Sequence, residues 1–192
     1  MQSFDSILRK DVAALIPCYH QSYGNATEIV YLEEKPVIVP RTVKTVIKNL
    51  ARLHAVDLKA LRKKYGEMLG CKRAIPIPFS SKMILMPVRM REVISKNDSS
   101  RGYINYLMIK DVREEDEGPT STVVLKNNRE IVCYHSIKNL NQHIRNCYYI
   151  HQKLVKESGE FHHFSLEYLD CPATKGDIAL ILKELREIKD KL

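Results

Sequence analysis

Residues 41–64 hold eight basic side chains, Arg41, Lys44, Lys48, Arg52, Lys59, Arg62, Lys63 and Lys64, against Asp57 alone. The formal net charge of the whole chain is +8, so the rest of it is nearly neutral. The same residues carry a periodicity that restricts what this segment can fold into. Val43, Val46, Ile47, Leu50 and Leu53 recur at helical spacing while Lys44, Lys48 and Arg52 fall at i, i+4 and i+8, which predicts one helix with an apolar and a basic face. After His54, Ala55 and Val56, Asp57 serves as the N-cap of a second helix. Leu58, Leu61, Tyr65 and Met68 form its stripe, and Gly70 stops it. Two amphipathic helices across a tight turn either read DNA as a helix-turn-helix or pack as a hairpin on a sheet with a basic wet side. Spacing leaves both open, although helical hairpins are the commoner of the two. Positive charge concentrated in this way suits a polyanionic partner.

With 192 residues the chain is long enough for one substantial core, and we read a single domain over residues 1–192, with 1–26 and 157–173 least defined by pattern. An apolar content of 44% with 28% charged residues is that of a globular protein, and no apolar run approaches the roughly 20 residues of a membrane span. The N-terminal MQSFDSILRKDVAALIPC lacks the long apolar core of a secretory signal, so a cytoplasmic location is expected. Cys18, Cys71, Cys133, Cys147 and Cys171 are odd in number, scattered and without a CxxC pair, which argues against a disulfide framework or zinc ribbon and for reduced, mostly buried thiols.

Along the chain, residues 1–26 read as a short helix followed by a turn at Ser22 to Asn25. Thr27 to Leu32 and Val37 to Val39 read as a hairpin-like strand pair, and Pro40 marks the switch to helix. The prolines of Ile75-Pro76-Ile77-Pro78 confine it to an edge or an extended entry, whereas Met83 to Met86, closed by Pro87, can be a central strand. Val88 to Gly102 is polar and basic and reads as an exposed, mobile loop. Tyr103 to Val112 reads as one strand, Glu114 to Pro119 as an acidic turn, and Ser121 to Leu125 with Glu130 to Tyr134 as a hairpin around Lys126-Asn127-Asn128-Arg129. Ser136 caps a helix reaching about Lys156, with Ile137, Leu140, Ile144 and Tyr148 on one side. Thr174 and Asp177 open a last helix that is a candidate for self-association. The expected fold is α+β, with a mixed, mostly antiparallel sheet, a basic two-helix unit and C-terminal helices.

The order of a basic helix pair, Cys71-Lys72-Arg73-Ala74-Ile75-Pro76-Ile77, an apolar strand with Pro87, Gly102-Tyr103-Ile104, and a Lys-Asn-Asn hairpin leading to His135-Ser136-Ile137-Lys138-Asn139-Leu140 resembles the competence transcription factor family, ComK. The resemblance spans roughly Glu28 to Gln152. It implies a bacterial transcriptional activator of DNA-uptake genes that binds paired A/T-rich boxes on double-stranded DNA as a homodimer or higher oligomer, bends the DNA and reads mainly from the minor groove. It also implies a nucleoid-associated protein controlled by an adaptor and a Clp-type protease. Tyr103 stands where the family usually carries Trp, and the segment after Phe161 matches the adaptor-recognition region only loosely.

Minor-groove reading of A-tracts favours Arg entering a narrow, strongly negative groove. The groove candidates are therefore Arg89, Arg91 and Arg101 with the turn residues Asn127, Asn128 and Arg129. The phosphate candidates are Arg41, Lys44, Lys48, Arg52, Arg62, Lys63, Lys64, Lys72 and Arg73.

Other constellations weigh less. His143, Cys147 and His151 at i, i+4 and i+8, near Cys133 and His162-His163, contain zinc-ligand types without the usual spacings, so a packed helix face is the simpler reading and no metal or other cofactor is expected. No nucleophile elbow, P-loop or HExxH occurs, and Asp111, Glu114, Glu115, Asp116 and Glu117 read as a solvated acidic loop, so no enzyme is expected. The alternatives are a metal-dependent nuclease using Asp111 and a DNA-binding regulator of the LytTR type.

Overall fold

The chain divides into two units, Met1–Gly159 and Glu160–Leu192, and the first contains both β-sheets. The computed structural model describes residues 4–95, 98–115 and 118–158, together with Leu182 and Lys189. Apart from Leu182 and Lys189, which are helical, the last helix expected from Thr174 onward and the segment after Phe161 lie outside the described residues, as do Cys171 and His162-His163.

A six-stranded sheet with apolar side chains packed on both faces organises the first unit. Its elements in chain order are α1 (Phe4–Leu8), β1 (Val12–His20), β2 (Gly24–Tyr31), β3 (Val37–Val39), α2 (Val43–Leu53), α3 (Leu58–Leu69), β4 (Ile77–Ser80), β5 (Met83–Arg89) and β6 (Arg101–Asn105). A one-turn 3-10 helix, Tyr106–Met108, leads to β7 (Ile109–Glu114), β8 (Ser121–Leu125) and β9 (Glu130–Cys133), and α4 (Ile137–Ser158) closes the unit. The large sheet runs β3-β2-β1-β6-β5-β4 and a three-stranded sheet runs β7-β8-β9. Every pairing is antiparallel, so the fold is α+β as expected, without a parallel pair among the described residues.

Alternation along the strands sends successive residues to opposite cores. Leu15, Ile29, Leu85 and Tyr103 pack with Val43, Val46, Ile47 and Leu50 of α2. Ala14, Val30, Met86 and Ile104 pack with Val123 and Leu125 of β8 and Leu140, Cys147 and Ile150 of α4. Each fully buried Val, Leu or Ile contributes about 1.5–3 kcal/mol, so the apolar stripe of α2 is what seats the helix pair on the sheet. The helix pair is thus a hairpin packed on a sheet. Asp57 caps α3 by accepting from the Lys59 and Ala60 amides at 2.7 and 3.1 Å, and Gly70 ends it at φ +62°.

Four sequence readings need correction. Residues 12–20 form β1, a strand at the centre of the sheet. Val12 to Leu15 are all buried, so the strand shows an apolar run and not the alternation that would mark it. Pro87 does not end β5, which continues to Arg89. β4 pairs with β5 no further than Leu85, so Pro87 stands where β5 is an edge on that side, a position proline tolerates. Tyr103 to Val112 is two strands in different sheets. The corner is held by buried Asn105, which accepts from the Ile84 amide at 3.3 Å and donates to the Lys82 carbonyl at 3.1 Å. Finally, the buried face of α4 is Leu140, Cys147 and Ile150 with Ile144 packed against the same core as expected, while Tyr148 is exposed.

The edge position of β4, the β8–β9 hairpin and the Ser136 cap of α4, whose hydroxyl accepts from the Asn139 amide at 3.4 Å, are observed as expected. Among the described residues no helix is long and apolar enough to cross a membrane.

Gly102 lies where β6 meets β1. A Cβ there would stand 2.6 Å from the Leu15 carbonyl oxygen and 2.9 Å from Pro17 Cδ, both on β1. Gly102→Ala must therefore push the strands apart, and a loss of about 1–3 kcal/mol is expected from urea denaturation.

Candidate nucleic-acid interface

Antiparallel pairing places the β1–β2 turn, the β5–β6 connection and the entry to β4 at the same end of the large sheet. At that end a cleft of about 380 Å³ is lined by Arg62, Lys72, Arg73 and Arg101, with Ala74, Ile75, Pro87 and Tyr103 as its apolar surface. Its residues come from α3, the 70–76 loop, β5 and β6, segments far apart in sequence. Among the described residues none of the four basic groups has a carboxylate partner. A second cavity, of about 340 Å³, mixes Arg9, Lys10 and Lys82 with Asp11 and lacks this uniform sign.

The cleft is built by a close approach at Gly66, one turn after Arg62 on α3. A Cβ at Gly66 would lie 2.9 Å from the Cys71 carbonyl oxygen and 2.9 Å from Ile75 Cδ1. The Cys71 amide donates to the Gly66 carbonyl at 2.9 Å, turning the chain back along the helix, and Ala74 adopts φ +53°. Lys72 and Arg73 are thereby returned to the side of Arg62. The sequence pattern does not single out Gly66, since a glycine inside a helical pattern shows no partner until the loop is seen to fold over it.

Arg89 and Arg101 stand directly across the β5–β6 register. Like charges so opposed destabilise a sheet, and neither has a carboxylate partner among the described residues. The Arg89 guanidinium lies over the Tyr134 ring at 5.8 Å. The positive field reaches two neighbouring imidazoles, His135 and His143, whose ring centroids are 5.1 Å apart. Burial, followed by Arg89 and Arg101, holds His135 below its ordinary value, and its Nε2 accepts from the Arg89 amide at 3.0 Å. Burial, followed by His135 and Arg101, lowers His143 to about 4.

The other sequence candidates are placed differently. Arg91 is only 9% exposed, a correction to the reading of Val88 to Gly102 as a free loop. Its guanidinium lies over the Tyr19 ring at 4.1 Å, donates to Asn25 Oδ1 at 2.9 Å and donates to the Ser99 carbonyl at 3.0 Å, so it ties the connection to the β1–β2 hairpin. Arg129 donates to both Glu28 carboxylate oxygens at 2.8 Å. Asn127 donates to the Tyr31 carbonyl at 3.0 Å, and Asn128 accepts from Lys110 at 2.7 Å. These three dock the β8–β9 turn in place of extending from it.

Arg52 pairs with Asp5 at 3.0 Å and Lys64 with Glu157 at 3.6 Å, exposed pairs worth about 0–1 kcal/mol that a phosphate can replace. Arg41 lies over the Phe4 ring at 4.6 Å. Lys44, Lys48 and Lys63 are exposed, and none of them lines the cleft.

Cys133 and Cys147 are buried thiols in the core, and a His151 ring nitrogen is hydrogen-bonded to the Tyr106 hydroxyl. Among the described residues no group of three or more His, Cys, Asp or Glu side chains is arranged to hold a metal ion. Asp111 accepts from Arg113 at 3.2 Å, while Asp116 and Glu117 lie outside the described residues.

Two outcomes are expected. Because His143 is held neutral when folded, the unfolded chain binds the extra proton first, so stability falls as pH drops from about 6.5 toward about 4. His143→Gln should flatten that slope in urea midpoints measured across the window. Arg91→Ala should speed amide exchange at Met90 to Arg101, and unchanged protection there would mean that Arg91 does not hold the connection.

No curated protein and no solved structure matches the chain. The sequence pattern of the ComK protein family matches residues 2–159, which covers the helix pair, the cationic cleft and both sheets. The chain belongs to the ComK family of competence transcription factors.

Proposed function

We propose that the chain binds double-stranded, A/T-rich DNA through the cationic end of the large sheet and activates competence genes from paired boxes as an oligomer. The observation that carries this reading is the cleft, where Arg62, Lys72, Arg73 and Arg101 converge with no carboxylate among its lining residues. Converging guanidinium and ammonium groups without internal counter-charges cost the fold repulsion that a phosphate backbone relieves. We assign Arg62, Lys72 and Arg73 to phosphates. Arg101 and its cross-strand neighbour Arg89 are assigned to the groove, because they stand together at the sheet end. Lys44, Lys48, Arg52, Lys63 and Lys64 form a flank available to more distant phosphates. Action on the nucleoid in the cytoplasm, and turnover through an adaptor and a Clp-type protease, are parts of the same reading that follow from the family.

Binding of A/T-rich and G/C-rich duplexes measured over a salt series tests the assignment. Arg62→Ala and Arg73→Ala should each reduce the slope of log K against log salt by about one and weaken all sequences alike. Arg101→Ala should narrow the difference between the two duplexes. Salt-independent affinity, or cleft substitutions without effect on it, would remove the cleft from the interface, and selection from a random DNA pool should enrich paired A/T-rich boxes.

A further inference from the structure

We propose that Val93 and Ile94, in the β5–β6 connection, form an apolar wedge that enters between base pairs of duplex DNA. This rests on the proposed DNA binding. Ile94 is 82% exposed and Val93 45% exposed, two adjacent apolar side chains held out in water. Isolated exposed apolar groups are ordinary, but this pair sits on a connection that is anchored by polar contacts.

The Ile94 amide donates to the Tyr19 hydroxyl at 3.0 Å, and that hydroxyl donates to Asp98 Oδ2 at 2.6 Å. Asp98 Oδ1 accepts from Asn25 Nδ2 at 2.8 Å, and Arg91 lies under Tyr19. The hydrogen bonds from Tyr19 and Asn25, with the Arg91 charge, hold the Asp98 carboxyl below its ordinary value, so this tether is ionised and intact at neutral pH. A pre-anchored apolar tip loses little conformational freedom on insertion, which is what a wedge requires.

Charge selects the occupant. The connection hangs from Arg89 and Arg101, beside the cleft with Lys72 and Arg73, and Glu92 is an exposed carboxylate next to the tip. With Arg91 set against the ionised Asp98 of the tether, the two guanidiniums at the base outweigh Glu92. A second copy of a chain whose net charge is +8, approaching through this same end, would bring like charges together, whereas a duplex brings phosphates to the arginines and a stacked apolar interior to the tip. Aliphatic side chains that enter DNA in this manner do so from the minor groove and unstack one base step.

The test relaxes covalently closed plasmid with topoisomerase I while the full chain is bound, because insertion between base pairs lowers the twist and the enzyme then fixes a compensating change in linking number, whereas phosphate contact alone leaves the twist unaltered. The wild-type protein should shift the topoisomer distribution. Ile94→Ala should abolish the shift while retaining binding with an unchanged salt slope, and Ile94→Leu should restore it. A wild-type protein that binds without a shift, or an Ile94→Ala protein that shifts as wild type does, would overturn the wedge and leave the DNA-binding reading standing. Failure of the wild type to bind DNA at all would defeat the underlying reading instead. Loss of self-association by Ile94→Ala in sedimentation, with the shift unchanged, would assign the tip to a second copy and also overturn the wedge.

Discussion

The large sheet depends on one short seam. Strands β1, β2 and β3 form one antiparallel meander and β4, β5 and β6 another, each made by neighbours in sequence. Only the β1–β6 pairing, registered at Ala14–Ile104 and Leu15–Tyr103, joins them. The contact crosses some ninety residues of chain, so its loop-closure entropy is met by burial on both faces of the sheet and not by the few hydrogen bonds of the seam itself. A residue without Cβ at Gly102 allows the approach, and the apolar stripe of α2 covers one face of the join. The helix pair that links the two meanders is therefore structural on its apolar side before it is anything else.

The seam also sets the chemistry of the sheet end. By fixing β6 beside β1, it brings Arg101 to the same end as the β1–β2 turn, while the fold-back at Gly66 delivers Lys72 and Arg73 from the other side. The result is a patch of one sign whose members repel one another, and the depressed His135 and His143 register the same field from within the protein. Arg129, which docks the β8–β9 turn, is paired with Glu28. The four basic residues of the cleft are left without a carboxylate partner among the described residues.

Local physics was readable in the sequence. The caps at Asp57 and Ser136, the stop at Gly70, the stripe of α2, the β2–β3 pair and the β8–β9 hairpin each rest on contacts within a few residues, and each is observed. The misread segments are those whose environment is distant. β1 lacks alternation because elements far along the chain bury both of its faces, and Pro87 is tolerated because β4 ends before reaching it. Arg91 has the sequence surroundings of a free loop arginine, yet Tyr19 and Asn25 capture it from another hairpin.

By itself, then, the sequence determined that this chain makes a basic amphipathic helix pair, several antiparallel hairpins and an α+β fold of the competence family. Helix periodicity, capping and turn chemistry act over the span of a single element. Only the tertiary structure decided which cations stand together and which are consumed internally, because that depends on pairing across long separations. The basic helices contribute Arg62 to the cleft and leave Lys44 and Lys48 on a flank. The remaining charges of the cleft come from the loop at Lys72–Arg73 and from Arg101, residues that no local pattern connects.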